Sequence, residues 1–450
     1  MITATAKTLK PNNGIIGLQI RAPPVAVQRN IHLALLLDTS GSMDGCRMSA
    51  LKRTLSLLVD RLKPADMLTL IEYNSVGAVK AIAESNKDKL HAVIERMKAG
   101  GGTCLEAAVD KLFKLIRGGY DVPCPRPDAL FIMTDGQINQ GIKTGEGLSS
   151  LLSGALRTSD GERFDIPIST VGYGEDHNAI LLQVLAVATR GTYTFASSDE
   201  MLPAVIGNIM AGCEDEVARG LRVRLPAGTR CLELGSKHRD KEPSDEEYLV
   251  GSITAEKDQW VILESAEGTA VPPNSLTICC RNPDASDPTI FEQTVEVEIS
   301  AAEELDVLEQ WLRAKTVRFI HACDKRSPQL AQANIELTES LEKEIRDSAV
   351  SDRQLMHHIL AELAELKSVL EGLRDLRGMT TDELNRSITR LASDMTAMGM
   401  QRGILSQPAH RNWTAAPDPV NSPFFSPRQR ETTSSMVQSF SQHPSEDPRS

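Results

Sequence analysis

Apolar residues recur along this chain with different periods, and the changes of period divide it. Residues 31–37 are a nearly unbroken apolar run ending at Asp38, which predicts a strand buried on both faces. Met48, Leu51, Leu55, Leu58 and Leu62 then recur at steps of three and four, one apolar helix stripe that Pro64 follows. The alternation continues with strands over 66–74 and 79–83, helices over 87–98 and 104–117, and strands over 128–136 and 164–174. A helix marked by Ile180, Leu181, Val184 and Leu185, a strand over 191–197 and a helix from a capping Asp199 to Met210 close the segment. Residues 30–212 are therefore expected to be an α/β domain with a doubly wound, mostly parallel sheet.

From 213 to 300 the period becomes two. "GLRVRL" alternates Leu221, Val223 and Leu225 with arginines, and "TVEVEIS" does the same with Val295, Val297 and Ile299, the pattern of antiparallel strands in a small β-sandwich. Ile16, Leu18 and Ile20 alternate too, so the strand within residues 1–29 is expected to join that sandwich, with the α/β domain inserted between. Residues 301–402 return to helical spacing. Met356, Ile359, Leu363, Leu366, Leu370 and Leu373 make a seam that is too short for a sustained coiled coil, although self-association through these helices is an alternative to a bundle within the chain. Residues 403–450 hold few branched apolar residues and are expected to be a disordered tail, with Phe424 and Phe425 lying between two Ser-Pro pairs.

Composition narrows the function classes. A net charge of −12 disfavours nucleic acid, whose phosphates need clustered Lys and Arg. The N-terminal stretch has no secretion-signal pattern and no apolar run approaches the roughly 20 residues that cross a bilayer, so a cytoplasmic protein without membrane insertion is expected. The 8 cysteines include no C-x-x-C pair, which argues against structural zinc and a disulfide framework. Cys46 and Cys104 are expected to be buried, inert thiols.

The candidate chemistry lies at strand ends. Asp38 and Asp135 each close a predicted parallel strand, so both belong to the one sheet edge where such folds bind ligands. Asp38 opens "DTSGS", which presents the Ser40 and Ser42 hydroxyls around Gly41, and "AGGGTCLE" brings Thr103 behind a glycine run. All five donors are hard oxygens suited to a cation such as Mg²⁺. Capping of the next helix explains Asp38, Ser40 and Ser42 but not Thr103 or Asp135.

These segments resemble the metal-ion-dependent adhesion site of von Willebrand factor type A domains, with "DTSGS", Thr103 and "TDG" at 134–136 in matching order. The resemblance implies direct metal bonds from Ser40, Ser42 and Thr103, and direct or water-mediated ones from Asp38 and Asp135. The expected ion is Mg²⁺, with Mn²⁺ or Ca²⁺ as alternatives, and the resemblance implies an open position that takes an Asp or Glu of a partner protein. It also implies that rearrangement around the metal is linked to movement of the last helix, over 199–211. The whole order of domains is similar to plant RING-type ubiquitin ligases of the wavy-growth class. "HNAILLQVLAVATRGTYTF" and "CEDEVARGLRVRL" match their domain junction, but no RING Cys and His ligands precede Asp38. The implied role is a binding or adaptor module, or a substrate-recognition component in ubiquitin ligation.

An enzymatic alternative is a Mg²⁺-dependent phosphotransferase with Asp38 as nucleophile. It lacks the D-x-D second carboxylate, since position 40 is Ser, and "GGGTC" lacks a P-loop lysine. His177 in "GYGEDHN" reads as part of a polar loop rather than as a general base, and the neighbours His357 and His358 point apart on a helix. A non-enzymatic protein is expected.

Overall fold

The structure is a computed structural model. It describes residues 2–9, 14–24, 29–75, 79–117, 126–135, 137–155, 166–173, 177–196, 201–225, 228–233, 247–265, 274–281, 290–299, 304–323, 327–375, 381–399 and 426–442.

The chain enters as two antiparallel strands, β1 (Thr3–Thr8) and β2 (Ile15–Arg21). It then forms β3 (His32–Asp38), α1 (Cys46–Arg61), β4 (Met67–Tyr73), β5 (Val79–Glu84), α2 (Lys87–Arg96), α3 (Leu105–Ile116) and β6 (Ala129–Thr134). Next come α4 (Gly145–Ala155), β7 (Ile168–Tyr173), α5 (Ala179–Ala188), β8 (Tyr193–Ala196) and α6 (Met201–Glu214). Strands β9 (Glu216–Arg224), β10 (Thr229–Cys231), β11 (Glu247–Thr254), β12 (Asp258–Ser265), β13 (Ser275–Arg281) and β14 (Ile290–Glu298) follow. Helices α7 (Leu305–Ala322), α8 (Pro328–Arg346), α9 (Gln354–Asp375), α10 (Thr381–Gly399) and α11 (Pro427–Gln442) complete the described chain. Two compact units result: β3 to α6 with α11, and β1 and β2 with everything from β9 to α10.

In the α/β unit the strand order is β5-β4-β3-β6-β7-β8, parallel throughout except for the β4–β5 pair. Every residue of β3 is buried, which is why its apolar run does not alternate. The stripe of α1 buries Met48, Leu51, Leu55 and Leu58 as its spacing predicts. The helices form two contacting sets, α1 with α2 and α6, and α3 with α4 and α5, as a doubly wound sheet requires. The chain leaves β3 for β4 on one side and later returns to β6 on the other. Such a reversal, here at the carboxyl ends of β3 and β6, is where open α/β sheets bind ligands.

Two elements depart from the sequence expectation. Helix α4 ("GEGLSSLLSGA") holds two glycines before Leu152, and Leu148 and Leu152 are the buried apolar residues among its described side chains, too weak a stripe to read. Helix α6 begins at Met201, near its expected start, and its expected cap Asp199 lies outside the described residues. The other departure is in the tail. Residues 427–442, expected without structure, form α11 on α6 and α1. Gln429, Thr433, Met436 and Phe440 are buried at steps of four, three and four, so a polar composition conceals one narrow helical stripe. Met436 lies against Gly207, where an added Cβ would meet its side chain at 3.0 Å. Arg53 lies over the Phe440 ring at 3.4 Å, and Arg428 pairs with Glu214 at 2.5 Å and Asp215 at 3.2 Å. The remainder of the expected tail, including Phe424 and Phe425, lies outside the described residues.

In the second unit the strand order is β10-β12-β2-β1-β14-β13-β9-β11. A short parallel β1–β14 pair joins two antiparallel halves, whose apolar faces share one core of Ile16, Leu18, Val261, Leu221, Ile278 and their neighbours. Helix α7 lies on β2 and β12, and Gly17 permits this approach, since a Cβ there would stand 2.8 Å from Val307. The leucine seam of α9 is buried against α7, α8 and α10 of the same unit. The bundle also buries Arg390 among Glu362, Glu365 and Asp394 at 2.9–3.0 Å. Among the described residues no helix is long and apolar enough to cross a membrane.

Candidate functional site

Strand β3 delivers Asp38 to the carboxyl edge of the sheet and the chain turns at once. Asp38 Oδ1 accepts a hydrogen bond from the Ser40 N–H at 2.8 Å, and Oδ2 accepts one from the Thr134 hydroxyl at 2.6 Å. The Ser40 and Ser42 hydroxyl oxygens then lie 3.0 Å apart across the turn Gly41–Met43. Helix α1 starts only after Gly45, with no side-chain cap, so the Asp38 loop does not serve as that cap.

The glycine run is zipped to this loop. Gly100 N–H donates to Thr39 O at 2.8 Å, and Gly41 N–H donates to Gly101 O at 3.1 Å. Gly101 has φ +78°, and a Cβ there would stand 2.8 Å from Ser75 Oγ, so the close approach demands glycine. Asn139 fixes the residue that follows: its Oδ1 accepts from Thr103 N–H at 2.9 Å, and its N–H donates to Thr103 O at 3.2 Å. Thr103 is buried.

Asp135 follows β6, hydrogen-bonded to β3 in register Leu37 to Met133, so both acids lie at one sheet edge. Its Oδ1 accepts from Gln137 N–H at 3.3 Å. Its Oδ2 is buried and has no hydrogen-bond partner, with the Arg47 guanidinium at 3.7 Å. Burial pushes the Asp38 carboxyl above its usual range, Thr134 and Ser40 oppose that by hydrogen bonding, and the Asp135 charge adds to it. The structure thus brings together the Asp38 loop, the Thr103 loop and Asp135, while Gly136 of the "TDG" triplet lies outside the described residues.

The donor set suits a hard cation. Adjacent corners of an octahedron with bonds of about 2.1 Å are about 3.0 Å apart, the spacing of the two serine hydroxyls. An orphaned buried carboxylate oxygen is the acceptor such an ion would satisfy. Among the described residues no three His, Cys, Asp or Glu side chains cluster as a metal site, and the set at this edge mixes two acids with hydroxyls.

Sequence reasoning missed Thr134 as a partner of Asp38, Asn139 as the clamp on Thr103, and Arg47 beside Asp135. Cys104 is buried as expected, but Cys46 is exposed, because the first residue of α1 points away from its apolar stripe. No disulfide joins any two of the seven described cysteines. His177 lies in the bend before α5, as the polar-loop reading has it, and is buried, with Nε2 2.5 Å from Tyr193 Oη, over Gly172. His357 and His358 stand side by side on α9.

Comparison with known proteins fits this architecture. The family model for the von Willebrand factor type A domain matches residues 31–195. An uncharacterized Synechocystis protein is 29% identical over 170 residues, 37% of this chain and 37% of its own length. The E3 ubiquitin-protein ligase WAV3 of Arabidopsis thaliana is 21% identical over 254 residues, 50% of this chain and 34% of its own. The inter-alpha-trypsin inhibitor heavy chain H1 of Sus scrofa is 20% identical over 244 residues, 52% of this chain and 26% of its own. The chain therefore spans between 26% and 37% of the length of these relatives. Among solved structures, a von Willebrand factor type A protein from Catenulispora acidiphila has a TM-score of 0.53 at 14% identity, covering 88% of this chain and 96% of its own. The ArnB paralog VWA2 of Sulfolobus acidocaldarius also has a TM-score of 0.53, at 12% identity, covering 89% and 98%. At such identities the likeness concerns the fold, and its coverage takes in the second unit as well as the first. The α/β unit of this chain holds a von Willebrand factor type A domain over residues 31–195, and the same chain also contains a β-sheet unit with a C-terminal helical region.

Proposed function

We propose that the α/β unit is a metal-dependent protein-binding module rather than an enzyme. Asp38, Ser40, Ser42, Thr103 and Asp135 hold one divalent cation, Mg²⁺ or in its place Mn²⁺ or Ca²⁺, and an Asp or Glu of a partner protein completes the shell. When bound, the cation supplies electrostatic attraction for that carboxylate. The observation that carries the reading is the buried Asp135 Oδ2, which has no hydrogen bond, at the same sheet edge as the Asp38 loop. Two acids balance a dication and the three hydroxyls add no charge, so its pull on an incoming carboxylate is not overwhelmed by local negative charge. Both oxygens of Asp38 already accept hydrogen bonds, which suits a fixed ligand better than a phosphotransferase nucleophile.

Calorimetric titration of the chain with Mg²⁺ and Mn²⁺ tests the reading. Binding is expected for the wild type and is lost in Asp38→Ala, with circular dichroism unchanged. Partner capture is expected to disappear in the same variant and in EDTA. Equal capture with and without chelator overturns it. The similarity to the ligase WAV3 favours a more specific role, substrate recognition in ubiquitin ligation. Its check is whether proteins released by chelator become ubiquitinated only when this chain is present.

A further inference from the structure

Arg47 brings to the site a positive group that the metal reading leaves unused. It is the second residue of α1, and three elements hold its guanidinium at the carboxyl edge of the sheet. Its Nη1 donates to Ser42 O at 3.2 Å and lies 3.7 Å from Asp135 Oδ2. Its central carbon stands 5.7 Å from the ring centroid of Tyr173, the last residue of β7, within cation–π range. The arginine side chain is 32% exposed, whereas that of Asp135 is 2% exposed.

We propose that Arg47 is the second cation of this site, neutralising Asp135 before the metal binds and gripping the partner's carboxylate once the metal has taken Asp135. The inference rests on the metal reading above. A buried carboxylate needs a compensating charge, and Arg47 provides one from too far away to make a hydrogen bond. Such a Coulombic contact is easily exchanged. A dication on Asp135 repels the guanidinium, which has solvent on one side and the Tyr173 face on another. The guanidinium fork then lies beside the incoming acid, whose one oxygen meets the metal while the other meets Arg47. This arrangement selects a carboxylate over an amide or a hydroxyl, because only the carboxylate offers two anionic oxygens to two cations.

Two effects of opposite sign follow from one residue. Arg47 weakens metal binding and strengthens acid binding. The test titrates the full chain with Mn²⁺ alone, then the Mn²⁺-saturated chain with a hexaglutamate peptide. Arg47→Gln is expected to bind Mn²⁺ roughly tenfold more tightly through loss of the repelling charge. Its affinity for the peptide is expected to fall roughly tenfold through loss of the charged fork. Arg47→Lys keeps the wild-type metal affinity and recovers only part of the peptide affinity. Equal Mn²⁺ affinity in wild type and Arg47→Gln, or equal peptide affinity, overturns the role of Arg47 and leaves the metal reading standing. Failure of the wild type to bind Mn²⁺ overturns both.

Discussion

Thr134 shows how much of a site can hang on a residue that carries no charge. Its hydroxyl donates to Asp38 Oδ2, across from the Ser40 N–H on Oδ1. Thr134→Val keeps the shape and removes the 2.6 Å bond, leaving a buried carboxylate oxygen short of a donor. The expected cost is about 1–3 kcal/mol of stability, read by denaturant unfolding, together with weaker Mn²⁺ binding by calorimetry. The ligand candidates were legible because acids ending apolar runs, alternate hydroxyls and a glycine run are unusual local patterns. Arg47, Thr134 and Asn139 were not, since a lone arginine at a helix start or an asparagine in a polar loop is ordinary text. Their meaning comes from what the fold sets beside them. Cys46 was misread for a related reason: one cysteine has no period, so its facing is known only once the helix phase is known.

Elements were legible in proportion to their apolar anchors. β3 and α1 carry dense ones, and the structure places both within a residue or two of expectation. α4 and α11 carry few, and neither was read. In α11 the burial is nonetheless real, so Phe440→Ala, at a ring only 2% exposed, is expected to cost about 3 kcal/mol. Thermal unfolding of the α/β unit, with proteolysis to report release of α11, checks this. The helical bundle holds a sharper dependence. Arg390 is surrounded by Glu362, Glu365 and Asp394, and burial with those neighbouring acids pushes the Asp394 carboxyl well above its usual range. Removing the arginine leaves three acids without it. Arg390→Leu is therefore expected to destabilise the bundle by about 3–5 kcal/mol near neutral pH. The loss should shrink as the pH falls and the acids take up protons, which denaturant titrations at several pH values would show.

At the scale of the whole molecule, the alternation of Ile16, Leu18 and Ile20 was enough to suggest that a strand ahead of the α/β unit belongs with the strands behind it. The pairing of β2 with β12 and of β1 with β14 follows that pattern. The return of α11 to the α/β unit had no such signal, because nothing in a helix stripe says which distant helix it will cover. That return has a consequence for synthesis. Arg428 meets Asp215 across 213 positions of sequence, so at roughly 5–20 residues per second a ribosome makes α11 about 10–40 s after the helix it covers. Throughout that interval the nascent α/β unit stands with the seam along α1 and α6 uncapped, a window in which chaperones or misassembled neighbours compete for the surface that the last helix later claims.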